Sequence, residues 1–255
     1  MSEEKRPVAL VTGVGRRAGI GAAIVERLAK DGWDLGLTYW RPYDDRMAWG
    51  RDEEALKEII GLAEGFGARA VAVEADLAEP DTPEAVFRQV CATLGPVRAL
   101  VIGHCESVDS TIMDTTVESF DRHFAVNARA VWLLIRQFAE QFDGPAGTGR
   151  IIALTSDHTA GNLPYGASKG ALDRIVLASA LELKHLGLTA NVVNPGPTQT
   201  GWIDDEGAAW LRERTPAGRL GMPMDAANLI GFLCSSEGGW VNGQLLHSDG
   251  GFSAR

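Results

Sequence analysis

No stretch of this 255-residue chain is both long and apolar enough to span a bilayer. Val131-Trp-Leu-Leu-Ile135 ends at Arg136, far short of the roughly 20 residues that a spanning helix needs. Cysteine is scarce: Cys91, Cys105 and Cys234 lie far apart, with no metal-ligand spacing and no disulfide framework, and are expected as reduced core residues of a cytoplasmic protein. Positive charge is in deficit, 24 Lys and Arg against 34 Asp and Glu, so no basic field favours nucleic acid as a partner. The opening Met1-Ser-Glu-Glu-Lys-Arg-Pro7 is charged where a secretory signal needs an apolar core, and no export is expected. Internal repeats, low-complexity tracts and long linkers are also missing, which predicts a single domain over 1–255.

What is present is alternation. Apolar runs begin at Val8, Leu35, Ala70, Ala99, Ile151, Ala190 and near Leu245, and segments of helical period separate them: 21–30, 53–65, 83–94, 117–142, 165–186 and 225–234. Nearly continuous apolarity, as in Arg150-Ile-Ile-Ala-Leu154, suits strands covered on both faces. The fold class expected is α/β: a single-domain, Rossmann-like, doubly wound parallel sheet with helices on both faces. Gly32, Gly67, Gly95, Gly144 and Gly187 are placed to end helices in a left-handed conformation. The segment 198–221, with Trp202, Trp210 and three arginines, falls after the sixth strand at the ligand-binding edge of such a sheet and is a candidate substrate lid.

Two motifs carry chemistry. After Val8-Ala-Leu-Val-Thr12, the stretch Gly13-Val-Gly15-Arg16-Arg17-Ala-Gly19-Ile20-Gly21 opens a helix whose free N–H groups and dipole favour a pyrophosphate. Far downstream, Tyr165-Gly-Ala-Ser-Lys169 puts a phenol and an ammonium four residues apart on one helix face. A neighbouring ammonium favours the phenolate and is expected to lower the tyrosine pKa toward neutrality, giving a usable proton donor.

Together these residues closely resemble the short-chain dehydrogenase/reductase family, in its single-domain branch that includes 3-oxoacyl-acyl-carrier-protein reductases. The resemblance covers almost the whole chain and extends to Asp76-Leu77, Asn127, Asn194-Pro-Gly-Pro-Thr198 and Asp249-Gly-Gly251. It implies that Asp76 and Leu77 flank an adenine, that Pro195, Gly196 and Thr198 hold the nicotinamide side, and that Ile20 and Gly103 also line the cofactor. It further implies that Tyr165 protonates the substrate oxygen, that Lys169 binds the ribose, that a serine, taken as Ser156, orients the carbonyl, and that Asn127 supports a water-linked relay to Lys169.

Three departures stand out. The glycine loop is two residues longer than the common form when read from Thr12-Gly13; starting at Gly15 restores the spacing but loses the threonine. Where the family has Asn-Asn-Ala-Gly, this chain has Ile102-Gly-His-Cys105, with His104 either lining the cofactor pocket or packing as a loop histidine. Ser156 precedes Tyr165 by nine residues, a short active-site loop in which Thr155, Asp157 or His158 could share its role.

Leu37-Thr-Tyr-Trp-Arg41, at the end of the second strand, lacks the carboxylate that would bind a ribose 2′-hydroxyl, while Arg16, Arg17 and Arg41 offer charge to a 2′-phosphate. NADP(H) is therefore the expected cofactor, and the expected activity is NADPH-dependent reduction of a ketone or 3-oxoacyl-type carbonyl to an alcohol. The alternatives are a cyclic-imine reductase and a silent dinucleotide-binding sensor or scaffold. Trp202, Leu163 and Ile203 suggest an apolar or ring-bearing small-molecule substrate, and a carrier-bound one would need a basic patch, for which Arg122 and Arg129 are candidates. By resemblance the protein is a homo-oligomer, tetramer or dimer, joined through the helices at 117–142 and 165–186.

Overall fold

The computed structural model describes residues 6–254, so the charged start of the chain, Met1 to Lys5, lies outside the described residues. Seven parallel strands form one sheet in the order β3-β2-β1-β4-β5-β6-β7. They are β1 (Val8–Thr12), β2 (Asp34–Tyr39), β3 (Ala70–Glu74), β4 (Val97–Ile102), β5 (Arg150–Leu154), β6 (Thr189–Asn194) and β7 (Leu245–His247). Each starts within two residues of the apolar run that predicts it. Every residue of β1, β5 and β6 is buried, as expected of central strands covered by helices on both sides.

The connections are α1 (Ile20–Lys30), α2 (Arg41–Asp45), α3 (Ala55–Gly65), α4 (Thr82–Leu94), α5 (Val117–Phe124), α6 (Ala130–Gln141), α7 (Leu163–Glu182), α8 (Asp205–Arg214) and α9 (Pro223–Cys234). One apolar layer joins α4, α6 and α7 to the sheet through Val86, Phe87, Val90, Leu134, Phe138 and Leu172. The other joins α1, α3 and α9 through Ile24, Leu28, Ile59, Ile230 and Leu233. None of the described helices is long and apolar enough to cross a membrane.

Two expectations need correction. The helix expected over 117–142 is interrupted at Ala125–Arg129 by a π-turn, whose wide loop closes from Ala130 N to Ala125 O. Gly144 does not take positive φ, unlike the other four helix-ending glycines. It serves by size, since an added Cβ would lie 2.7 Å from Phe142 Cζ.

The order reverses between β1 and β4, which pair at Thr12 and Ile102. Both chains leave the sheet there in opposite directions, opening a crevice at the carboxyl ends of the strands.

Candidate active site

The crevice is a cavity of about 840 Å³. At its base Gly13 has φ +80°, and a Cβ on it would lie 2.7 Å from His104 Cα. A Cβ on Gly21 would meet Gly13 O at 2.7 Å. Only glycines allow the loop to fold this tightly between β4 and the start of α1. Gly19 is the residue before α1 and β1 ends at Thr12, so the loop follows its longer reading, from Thr12-Gly13. Gly13, Gly15, Gly19, Ile20 and Gly21 all face the cavity, with the free N–H groups of α1 at its edge.

The two extra loop residues turn opposite ways. Arg16 points into the cavity, donates to Thr200 O at 3.0 Å and lies over the Trp49 ring, 4.1 Å from its centroid. Arg17 turns outward to Asp52 and Glu58, each at 2.7 Å, and does not line the cavity. Arg41 also stands outside, over the Tyr39 ring and 2.8 Å from Glu74. Of the three arginines expected at a 2′-phosphate, the fold delivers Arg16 to the cleft, because the other two have nearer carboxylates on the surface.

A carboxylate that was not among the expected site residues stands near Arg16. Asp44, on α2, accepts from Trp49 Nε1 at 3.0 Å, and burial raises its pKa. Trp49 in turn packs on Trp202 with ring centroids 4.6 Å apart. The segment after β2 and the expected lid thus meet over the glycine loop. The lid, 198–221, is closed at its base by pairing of Thr198 with Gly221 and carries α8, whose Trp210 and Leu211 line the cavity beside Trp202 and Ile203. Leu163 does not reach the cavity. A cluster of Trp40, Tyr43 and Trp49 around Asp44 was the available signal for this wall.

Asp76 and Leu77 line one end of the cavity. The Arg122 guanidinium holds the Asp76 carboxylate through two contacts of 3.0 and 3.1 Å, and also reaches Glu106, which Arg46 pairs with from the other side. Arg122 is therefore turned inward and neutralised, and Arg129 donates to Ala78 O. Neither forms the basic docking patch considered from the sequence. At the other end Gly196 has φ +58° and packs on Asp249, where a Cβ would sit 2.4 Å from Asp249 Cβ. Asp249 is itself tied to Gly251 and Ser253 N–H, which explains the glycine pair beside it. Pro195, Gly196, Thr198 and Gly103 all line the cavity.

Tyr165 and Lys169 share the buried face of α7, as their spacing predicts, with Lys169 Nζ 5.6 Å from the phenol ring centroid. The ammonium sits over the ring rather than at its oxygen and donates to Leu154 O at 2.8 Å. Burial, chiefly, and then Cys105 raise the phenol pKa, opposed only by the Ser156 hydroxyl. Lys169 is itself pushed down by burial. The expected lowering of the tyrosine pKa by Lys169 is thus reversed, since desolvation outweighs a charge aimed elsewhere. Ser156, just past β5, lines the cavity with Tyr165 and accepts from His158 N at 3.2 Å. Thr155, Asp157 and His158 line the same wall.

Asn127 stands in the π-turn, fully buried and outside the cavity lining. Its amide donates to Glu106 O at 2.8 Å and Ser168 Oγ at 2.9 Å, and Ser168 donates to Tyr165 O. It reaches α7 through Ser168. His104 lines the cavity with both ring nitrogens engaged, to Thr12 Oγ1 and Val126 O. Cys234 is a core residue and Cys91 packs at the core edge, but Cys105 is half-buried in the cavity wall, where the turn after β4 exposes it.

A family profile described as enoyl-(acyl carrier protein) reductase matches residues 13–253. The chain is 36% identical to an uncharacterized oxidoreductase of Bacillus subtilis, covering 99% of both chains. It is 38% identical to the NADPH-dependent aldehyde reductase-like protein, chloroplastic, of Arabidopsis thaliana, covering 96% of this chain and 93% of that one. It superimposes with a TM-score of 0.85 on the crystal structure of a blue fluorescent protein from a metagenomic library in complex with NADPH, at 33% identity over 97% and 98% of the two chains. Glycine loop, sheet order, Tyr165/Lys169 pair and full-length likeness agree: this chain is an oxidoreductase of the short-chain dehydrogenase/reductase family.

Proposed function

We propose that the protein reduces the carbonyl of an aldehyde or ketone to an alcohol, with NADPH as its cofactor. The observation that carries this reading is the convergence of Ser156, Tyr165 and Lys169 on the cavity that the glycine loop opens. The cavity suits a dinucleotide: a cradle that any Cβ would fill, a helix N-terminus, and an inward arginine. The NADPH-bound metagenomic protein and the plant NADPH-dependent relative support the same choice. When bound, the nicotinamide supplies the hydride.

The chain supplies the rest. The glycine loop and the start of α1 hold the pyrophosphate, Asp76 and Leu77 the adenine, Pro195, Gly196 and Thr198 the nicotinamide side, and Arg16 the 2′-phosphate. Ser156 and Tyr165 hydrogen-bond the substrate oxygen, and Tyr165 gives it a proton as negative charge develops there. The raised phenol pKa keeps that proton in place until the oxygen becomes the stronger base. Lys169 binds the ribose, and Asn127, through Ser168 and the helix carrying Tyr165, maintains the proton path. Trp202, Trp210 and Phe252 in the wall favour an apolar or ring-bearing substrate. Val117 and Trp132 on the α5–α6 run and Leu181 on α7 are half or more exposed, which supports a homo-oligomer paired through these helices.

The test is NADPH oxidation with aldehydes, ketones, 3-oxoacyl thioesters and cyclic imines. Turnover of an aldehyde or ketone is expected. NADPH binding with no oxidation by any of the four classes would overturn the reading in favour of a dinucleotide sensor.

A further inference from the structure

His104 is buried, at 7% exposure, and has a use for each ring nitrogen. Nε2 lies 2.9 Å from Val126 O, which can only accept, so Nε2 carries the hydrogen. Nδ1, 2.7 Å from Thr12 Oγ1, then accepts from the hydroxyl. The same hydroxyl oxygen accepts the N–H groups of Gly103 and His104 at 3.1 and 3.4 Å. One neutral tautomer satisfies every contact.

The two arms end at different machinery. Thr12 is the last residue before the glycine loop, whose Gly13 packs directly on the His104 backbone. Val126 precedes Asn127 within the π-turn. Two residues past His104, Glu106 takes hold of the same turn, its N–H donating to Asn127 Oδ1 at 2.8 Å and its carbonyl accepting from Nδ2 at 2.8 Å. The segment after β4 therefore grips the turn at two points, one of them the imidazole. A π-turn inserts an extra residue and tilts carbonyls out of the helical ladder, so the side chain that receives such a carbonyl sets where the turn lies.

We infer that His104 is a positioning residue: as the neutral Nε2–H imidazole, it ties Thr12, at the entry to the glycine loop, to Val126 of the π-turn and so holds Asn127 against Ser168. The inference rests on the reading above in one respect, that Asn127 serves the proton path. Burial, first, and the Lys169 ammonium, second, push the His104 pKa down to about 3 against the pull of the Val126 carbonyl, so the ring is neutral near pH 7.

An amide side chain can copy one imidazole nitrogen at a time. Glutamine places its amide N–H near Nε2 and can keep the Val126 arm; asparagine is shorter and keeps only the Thr12 arm; phenylalanine fills the space and keeps neither. The experiment measures kcat and KM for NADPH oxidation with the accepted aldehyde or ketone in His104→Phe, His104→Asn, His104→Gln and Asn127→Ala. Hydrogen exchange of the Glu106 amide is followed in the same proteins. His104→Phe and His104→Asn are expected to lose about tenfold or more in kcat through misplacement of the turn, with KM for NADPH within about threefold. Their Glu106 amide should exchange faster, and His104→Gln should restore both kcat and protection. Wild-type protection of Glu106 in His104→Phe, or rescue by Asn and not by Gln, would overturn the inference. Wild-type kcat in Asn127→Ala would instead overturn the role of Asn127 in the proton path, leaving the exchange result to decide the role of His104.

Discussion

Thr12, His104, Asn127, Ser168 and Lys169 make up the floor of the cleft, His104 and Lys169 lining it and the others lying beneath; each is less than a tenth exposed, with side-chain hydrogen bonds of 2.7 to 2.9 Å. The roof is made from two separate excursions, the segment after β2 and the lid after β6, which meet through Trp49, Trp202 and the Arg16 guanidinium. Floor contacts are directional, and leaving one buried group unpaired costs about 1–3 kcal/mol. Ring stacking is worth about 0.5–1.5 kcal/mol and tolerates sliding. On the proposed reading, turnover depends on the floor and ligand choice on the roof, and substitutions on each side can break that division.

Tyr165→Phe should have the largest effect, a loss of about 10²–10⁴-fold in kcat with NADPH binding retained in a fluorescence titration. More than about a tenth of wild-type turnover would remove Tyr165 as the proton donor.

Acid should weaken the floor through His104. Its folded pKa, about 3, lies below its ordinary 6.5, so the unfolded chain binds the proton first. The stabilisation is complete above pH 6.5 and declines as pH falls toward 3, by up to about 1.4 kcal/mol per pH unit. Urea unfolding should show this slope in the wild type and a shallower one in His104→Gln; equal slopes would mean that the ring is not held neutral.

On the roof, Arg16→Ala should raise KM for NADPH about tenfold to several hundredfold, the worth of one or two charge-assisted hydrogen bonds, and barely change KM for NADH. Equal changes would remove the 2′-phosphate assignment. Trp202→Ala should raise the substrate KM about two- to tenfold with kcat unchanged, as the loss of one aromatic contact predicts. A fall in kcat instead would make the lid part of the floor. Arg17→Ala should be smallest, under about twofold in any kinetic constant, because its exposed ion pairs lie outside the cavity.

The alternation of apolar runs already contained the seven strands, and the Tyr165/Lys169 spacing contained their shared helix face, because side-chain period and local geometry are short-range properties. The partners of those residues were not legible. Arg16 and Arg17 are identical in chemistry and adjacent in sequence, yet one faces the cleft and one faces Asp52, before α3, and Glu58, on it. His104 read first as a packed loop histidine and second as cavity lining, and its two partners were out of reach of that reading, since neither Thr12 nor Val126 is near it in the chain. The pKa of Tyr165 came out in the wrong direction because spacing shows that an ammonium is near but not where it points or how dry the site is.

The sequence by itself determined the doubly wound α/β class, the glycine loop and the presence of the Tyr165/Lys169 pair, all of which rest on residue types at fixed short separations. Only the tertiary structure decided which arginine enters the cleft, that Cys105 lines its wall, and that the histidine after β4 pins the turn carrying Asn127. Those outcomes depend on contacts between segments up to 184 residues apart, as between Arg16 and Thr200, and on burial that no local spacing encodes.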